Sequence, residues 1–552
     1  MNSVSLWPKH LYLIAEGNTP PHHKPNRETM GSKAYNLLRM TGIGLPVPPA
    51  LVIGTHYAKS PEECMLPVFT IGLAALQDAT GRVLGDVRRP LIVSVRSGAP
   101  VSMPGMMETL LNIGLCDQTL PGLLRQTGNP RLVWDAYRRL IASYGEVVAG
   151  LPGSLFEDEI EHATQGRDER QLDFAELRSL TRQFLALYQL HSGQPFPQDA
   201  NAQLSGAIRG VFMSWHAEKA QAYREINQID AAMGTAVTIQ SMVFGNSGGH
   251  AGAGVGFTRN PTTGERQPWV DFLANAQGED VVSGRRNAHG HEALASVAPD
   301  AWRKLQDAVQ TLEREFSDMQ DFEFTVQDGV LHMLQTRSGK RTPLAAARIA
   351  LDLLDEGLID AATALERTKD FSEEDLGTVQ LASQGDPDTT PGQASPIGRA
   401  MSACSGVVSG EIVLDSARAA ARAAEGASLV LVRQDAETSD IAALEFAAGL
   451  LTQRGARTSH AAVVARQLGK VCLVGCETLR IDLSARTIRL GDLLLKEGDV
   501  ISLDGNEGNV YAGEVAAVFV PDAALVDRLR ALRAAQAPAN HHHHHHHKHS
   551  TS

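Results

Sequence analysis

From about Leu120 to Gln221 the chain carries a helical pattern, and strand-like apolar runs stand on both sides of it. Leu132-Val-Trp-Asp-Ala-Tyr-Arg-Arg-Leu-Ile141 and the stretch Phe174 to Leu190 repeat apolar residues at three and four spacing, the mark of a helix with one buried face. Before this block, Leu45 to Gly54 and Leu91 to Arg96 read as buried strands between Gly/Pro turns. After it, strands return at Ala236 to Phe244, Gly254 to Thr258, Phe322 to Val326 and Val330 to Leu334. The layout therefore predicts an α/β domain interrupted by a helical insertion. A helix-rich connector follows at Pro343 to Leu365, and the Gly/Asp/Pro/Thr stretch Ser383 to Ser395 reads as a linker. A compact α/β segment then runs from about Gly398 to Val518, and Leu525 to Ala535 is a short amphipathic helix. The tail, Pro538 to Ser552, holds seven consecutive histidines, His541 to His547. It reads as a purification tag and stays outside the fold argument.

The 552 residues allow three or four domains at roughly 150 residues each. A net charge of −13 argues against nonspecific binding to nucleic acid or an anionic membrane, so any phosphate must be held by local groups. No apolar run approaches the roughly 18 to 20 residues a membrane helix needs. Met1 to Glu16 is broken by Pro8, Lys9 and His10 and lacks a signal-peptide core, so a cytoplasmic location is expected. The five cysteines are too few and scattered for a disulfide framework. Cys472 and Cys476 read as small packed hydrophobes rather than a redox pair.

Four segments carry chemistry. In Met30-Gly-Ser-Lys33-Ala-Tyr, a lysine follows a Gly/Ser turn at a helix start, where backbone N–H groups and a cation suit a phosphate. In Ser94-Val-Arg96-Ser-Gly98-Ala-Pro-Val-Ser-Met-Pro-Gly105, a strand delivers Arg96 into a loop of small residues. An ordinary turn with an exposed arginine would read the same way. In Met319-Gln-Asp321-Phe-Glu323, two carboxylates share one strand face. At about 5 Å they repel by roughly 3 kcal/mol, a sign that bound Mg²⁺ reverses. After a turn at Asp328-Gly329, a second strand brings Gln335 and Arg337 beside them, and Glu279 upstream could complete the metal shell. In Arg454-Gly-Ala-Arg-Thr458-Ser459-His460-Ala-Ala, two hydroxyl caps open a helix whose first turn holds His460. There N–H donors would hold a phosphoryl group on the imidazole. No Walker A sequence is present.

These segments, in this order, resemble pyruvate phosphate dikinase. Val93-Ser-Val-Arg-Ser-Gly98, Met103-Pro-Gly-Met-Met107, Phe257-Thr-Arg-Asn-Pro261, Asp321-Phe-Glu-Phe324, Leu334-Gln-Thr-Arg337 and Thr458-Ser-His-Ala-Ala-Val-Val-Ala-Arg466 carry the resemblance over about residues 10 to 520. It implies an ATP-grasp-like nucleotide domain (1–111 and 201–342) with a helical insertion (112–200) and a connector (343–389). A swivelling phosphohistidine β/β/α domain (390–520), a helix (521–537) and the tail (538–552) follow. Lys33, Arg96, Gly98, Gly105, Gln335, Thr458 and Ser459 match ATP or phosphate positions. Glu279, Asp321 and Glu323 match metal positions, Arg337 is catalytic, and His460 is the phosphoryl carrier. The implied reaction converts ATP and inorganic phosphate, with Mg²⁺, to AMP, pyrophosphate and phosphohistidine. In the family the phosphoryl group then passes to pyruvate on a C-terminal barrel. After Val518 only a short helix and the tail remain, so a separate barrel subunit or another acceptor is expected, and a homodimer is allowed. Two other readings stay open: a phosphoenolpyruvate synthase-like half-enzyme using water in place of phosphate, and a non-catalytic nucleotide-sensing or scaffold protein. The sequence departs from the family's usual two glycines and methionine at Ala456 and Arg457, which bears on loop geometry and domain docking. Gly248 to Gly254 is richer in glycine than expected.

Overall fold

The computed structural model describes residues 7–18, 25–103, 106–283, 286–382, 395–436 and 440–550. The chain divides into two compact units, Met1–Ala251 with Thr325–Thr336, and Gly252–Phe324 with Arg337–Ser552.

In the first unit, β1 (Leu11–Ile14), α1 (Ser32–Gly42), β2 (Ala50–Ile53), β3 (Val93–Gly98) and β4 (Thr109–Ile113) precede the helices. The predicted strand at 45–54 is shortened to β2, because Pro46, Pro48 and Pro49 lack the N–H a ladder needs. The helical stretch includes α2 (Pro130–Val147), α3 (Phe174–Ser192) and α4 (Ala200–Met213). The Asn129 side chain accepts the Leu132 N–H and Pro130 stands in the first turn, so α2 begins where its cap dictates. Leu132, Val133, Ala136, Tyr137, Leu140, Ile141 and Tyr144 form its buried face. β5 (Ala236–Ser241) then returns to the sheet, whose order is β1-β2-β5-β3-β4 with antiparallel neighbours. The strand that follows the helices thus lies between two strands that precede them.

The second unit opens with β6 (Gly252–Phe257) and β7 (Trp269–Ala274), an antiparallel pair. α5 (Pro299–Phe316), β8 (Gln320–Gln327) and β9 (Val330–Ser338) follow, with Thr325–Thr336 of this hairpin counted in the first unit, and the sheet order is β7-β6-β8-β9. The β8–β9 turn has positive φ at Asp328 and Gly329, as a tight hairpin requires. The end of the glycine-rich segment, from Gly252 onward, has a packing reason, whereas a Cβ on Gly248 or Gly249 would meet nothing within 4 Å. A Cβ on Gly252 would lie 2.3 Å from the Phe272 ring, one on Gly254 2.1 Å from Phe324, and one on Gly256 2.7 Å from Phe322. Alternate glycines of β6 therefore form the floor under aromatic rings. Arg259, 1 % exposed, is held by Glu313 and Glu356.

Beyond α6 (Pro343–Asp355), β10 (Gly377–Leu381) precedes the C-terminal α/β module. The module's large sheet uses β11 (Gly398–Arg399), β12 (Met401–Cys404), β13 (Val407–Val413), β14 (Leu429–Arg433) and β15 (Gly449–Thr452). It is completed by β16 (Val471–Val474), β20 (Val500–Asp504) and β21 (Asn509–Ala512), in the order β11-β21-β20-β13-β14-β15-β16-β12. Strands β13 to β16 are parallel. Leu429 and Leu431 face one core, Val430 and Val432 the other, which is why this strand reads as an unbroken apolar run. Between β16 and β20 lies the antiparallel sheet β17 (Leu479–Asp482), β18 (Thr487–Leu490) and β19 (Leu493–Lys496). Helix α7 (Ser416–Ala424) follows β13, and α8 (His460–Gln467) follows β15. After the module, β22 (Ala517–Pro521) pairs antiparallel with β10, so the chain enters and leaves through a two-stranded ribbon. Helix α9 (Ala523–Ser550) is longer than the predicted Leu525 to Ala535, and its Leu525 and Leu529 share a core with Leu344 of α6. Most of the predicted linker, residues 383–394, lies outside the described residues. Among the described residues no helix is long and apolar enough to cross a membrane.

Candidate functional site

In the first unit the elements bearing Lys33, Arg96 and Gln335 converge. Gly31, at φ +82° and ψ 156°, turns the chain into α1. Its Cα approaches Gly98 so closely that a Cβ there would lie 2.2 Å from the Gly98 carbonyl oxygen. The Ser32 N–H donates to Ala99 O at 3.0 Å, pinning the α1 N-terminus to the end of β3. Lys33 is exposed on that first turn, and Arg96 sits two residues before Gly98 with Thr109 and Thr238 as its strand neighbours. The Gly98 N–H donates to Thr235 Oγ1 at 3.0 Å. From α1, the buried Asn36 amide donates to Thr336 O at 2.9 Å, which draws the end of β9 with Gln335 to the same helix. The result is a helix N-terminus with a lysine, a small-residue loop and an arginine-bearing strand, all suited to anionic oxygens. Gly105 lies outside the described residues.

In the second unit the acids behave differently from one another. Asp321 is buried, and its Oδ2 accepts from Arg337 Nε at 2.8 Å, while Glu323 is partly exposed. Burial pushes the Asp321 carboxyl above its ordinary range, Arg337 opposes that, and the nearby Glu323 charge adds to it. Glu279 stands in the first turn of a short helix, Gly278–Val282, capped by Gln277. Among the described residues no group of three His, Cys, Asp or Glu side chains gathers to hold a metal ion. The structure thus couples Asp321 with Glu323 and Arg337, and does not bring Glu279 into a ready three-acid cluster with them.

The loop bearing His460 joins β15 to α8. Arg454 Nε donates to Asp435 Oδ1 at 2.7 Å, so this arginine is engaged within its own module. Gly455 adopts φ +135°, and Ala456 is fully buried. Ser459 caps α8 by accepting the Ala462 N–H, and His460, the first helical residue, is exposed to solvent. First-turn N–H groups have no intrahelical acceptor, so the imidazole stands beside anion donors. Arg466, one turn and a half along, is buried. Its Nη1 donates to Ala403 O and to Arg457 O, at 2.7 and 2.9 Å. Its Nε and Nη2, and Thr458 Oγ1, have no hydrogen-bond partner among the described residues. The arginine instead lies 5.1 Å from the centre of the Trp269 ring and 5.3 Å from that of Phe257.

Sequence reasoning missed the strand residue that receives this loop. Asp271 of β7 is fully buried, accepts Arg457 Nε on Oδ1 at 2.9 Å and the Thr458 N–H on Oδ2 at 2.9 Å. The available signal was a single carboxylate inside the apolar run Trp269-Val-Asp-Phe-Leu273, which demands a buried partner.

Two family models match the chain: the AMP/ATP-binding domain of pyruvate phosphate dikinase over residues 73–291, and the mobile domain of PEP-utilising enzymes over residues 426–508. The second includes the whole His460 loop and helix. The chain therefore joins a nucleotide-binding domain of the pyruvate phosphate dikinase type to a mobile domain of the PEP-utilising type. It is 40% identical over 519 residues to a pyruvate, phosphate dikinase of Clostridium symbiosum, covering 92% of this chain and 58% of the relative. Against the Rhizobium meliloti enzyme it is 41% identical over 512 residues (89% and 56%), and against the chloroplastic enzyme of Flaveria pringlei 40% over 521 residues (93% and 54%). Over the matched segment the chain belongs to the pyruvate phosphate dikinase family, and it spans about half the length of the curated relatives it matches.

Proposed function

We propose that this chain catalyses the ATP- and phosphate-dependent half of a pyruvate phosphate dikinase reaction, with His460 as the phosphoryl carrier. The observation that carries the reading is His460 itself: an exposed imidazole at the first position of a capped helix, inside the matched mobile domain. A neutral imidazole nitrogen forms the N–P bond with the β-phosphoryl group as AMP departs. The γ-phosphoryl group leaves on inorganic phosphate as pyrophosphate. Lys33, Arg96, Gln335 and the N–H groups near Gly31, Gly98 and Gly105 bind the polyphosphate. Arg337 offsets charge on the transferring oxygens, and Thr458 and Ser459 hold the phosphoryl group at the start of α8. Glu279, Asp321 and Glu323 offer hard oxygen ligands of the kind Mg²⁺ takes, and a bound ion there would neutralise phosphate charge.

The segments assigned to these roles are the nucleotide domain at 1–111 and 201–342, its helical insertion at 112–200, the connector at 343–389 and the carrier domain at 390–520. The phosphoryl group then passes to pyruvate or another acceptor, in the cytoplasm. The test is to incubate the protein with β-labelled ATP, Mg²⁺ and phosphate and to look for acid-labile label on the chain. Label is expected on the wild type and absent from His460→Ala. Labelling that persists in His460→Ala refutes the carrier. AMP and free phosphate appearing together without added phosphate point to the water-dependent reaction instead.

A further inference from the structure

The carrier loop is seated on β7 by the residues at which the sequence departs from the family pattern. Ala456 is buried with Ala253, Val255, Leu273, Ala276, Val281 and Ala288, where a small side chain lets the loop lie close. Arg457 makes the polar contact. Beyond its bond to Asp271 Oδ1, its Nη2 donates to Val270 O at 3.0 Å, and its guanidinium stacks 4.1 Å from the centre of the Trp269 ring. Both Asp271 oxygens are satisfied by two successive loop residues, Arg457 and Thr458. The Gly455 N–H completes the seat by donating to Asn287 Oδ1 at 3.1 Å.

A carboxylate buried in a strand is tolerated only while a partner neutralises it, and here both partners lie 186 and 187 residues away, on the carrier loop. Nothing in the phosphohistidine chemistry calls for this pair, because Arg457 points its charge at β7 rather than leaving it beside His460. The fork, the backbone carbonyl and the indole together fix the loop in one register, two residues before Ser459 caps α8.

We infer that Arg457 is the positioning residue that docks the carrier loop, with Asp271 as its receptor, and that this dock holds His460 for phosphoryl pick-up. The inference rests on the transfer reading above, yet it has a readout of its own. In Arg457→Met, amide hydrogen exchange of the whole chain should rise together in the peptides covering 269–274 and 455–459. Asp271→Asn should do the same, and Arg457→Lys should fall between, since it keeps the charge and loses the fork. Labelling from β-labelled ATP should slow by about tenfold or more in Arg457→Met. Labelling of His460 by phosphoramidate, a small donor that needs no docking, should stay within about twofold of wild type, which a merely structural lesion in the loop would not permit. Unchanged exchange in both peptides overturns the dock, as does a parallel loss of ATP and phosphoramidate labelling. If the wild type takes phosphoramidate but never label from ATP, the transfer reading falls, and the exchange data alone then decide whether Arg457 docks the loop.

Discussion

Gly31 is the residue whose substitution tests the nucleotide side most directly. Its φ of +82° with ψ of 156° lies in a region that only glycine occupies comfortably, so alanine there costs about 1–3 kcal/mol in backbone strain. The new Cβ would also meet the Gly98 carbonyl at 2.2 Å for oxygen and 2.7 Å for carbon, both backbone atoms that cannot rotate away. Restoring ordinary contact near 3.4 Å requires the α1 N-terminus and the end of β3 to part by roughly 1.2 Å. That movement breaks the Ser32 N–H to Ala99 O bond, worth about 1 kcal/mol, and adds an overpacking cost of about 1–3 kcal/mol. The sum, about 3–7 kcal/mol, is large against a typical folding stability of about 5–15 kcal/mol, but the first unit has a core spread over many residues remote from Gly31. Gly31→Ala should therefore fold, melt several degrees lower, and separate Lys33 from the Arg96 loop. A misplacement of about 1 Å at a phosphate site costs on the order of a hundredfold in function.

The assay is ATP titration calorimetry alongside thermal unfolding, with Gly42→Ala as control. Gly42 ends the same helix, and a Cβ there meets nothing within 4 Å. Gly42→Ala should match wild type in affinity. If Gly31→Ala binds ATP as wild type does and melts at the same temperature, the close approach of α1 to β3 does not organise the site.

Asp135, buried among Arg139, Arg138 and Arg131, has its carboxyl held below the usual range despite the opposing effect of burial. A depressed carboxyl stabilises the fold above its unfolded value and ceases to do so as pH falls through the lower folded value. Stability should thus drop in acid below about pH 4, and Asp135→Asn should flatten that dependence while costing about 3–5 kcal/mol at neutral pH; chemical denaturation at several pH values measures both. The buried thiols of Cys404, pushed up to about 11, and of Cys64 and Cys472, each pushed up to about 12, should resist iodoacetamide at pH 8 until denaturant is added. Rapid alkylation of any of the three in the native protein would contradict their burial.

What was legible in the sequence was local. The Asn129-Pro130 start of α2, the Ser459 cap before His460 and the Asp328-Gly329 turn are fixed by side chains within three residues of the feature they create. The continuous apolar runs of β14 and β16 suit strands covered on both faces, and Cys472 and Cys476 fell into different core clusters, as small packed hydrophobes do. What stayed hidden was pairing at long range. Nothing near β5 says that it inserts between β2 and β3, or that β10 finds β22 across the carrier module. The alternation in β8 foretold that Asp321 and Glu323 would be neighbours, and the strand after the turn that Arg337 would stand beside them, but not that Glu279 would stay out of the cluster. Periodicity reports which face of an element is buried; it carries no information about the partner that neutralises a charge on that face.

A charge pair at the Asp271 seat suits the carrier role proposed for this loop. An apolar dock of the same area would hold the loop more firmly, but on release it would leave two exposed apolar patches that favour re-docking or aggregation. An Arg–Asp pair behaves differently, because the cost of removing both charges from water offsets most of their attraction once they meet. The docked state is then selected by geometry more than by depth. Arg457 must reach Asp271 Oδ1 and Val270 O at once, and Thr458 must meet Asp271 Oδ2, so a loop out of register leaves a buried carboxylate unpaired. On release, water solvates both charges again and restores most of the lost hydration. Ala456 fits the same logic: its methyl group fills a small apolar niche and adds little to the depth of the well. A loop built this way sits in one place, in one orientation, and leaves it without a large barrier, which suits the phosphoryl-carrier role proposed for His460.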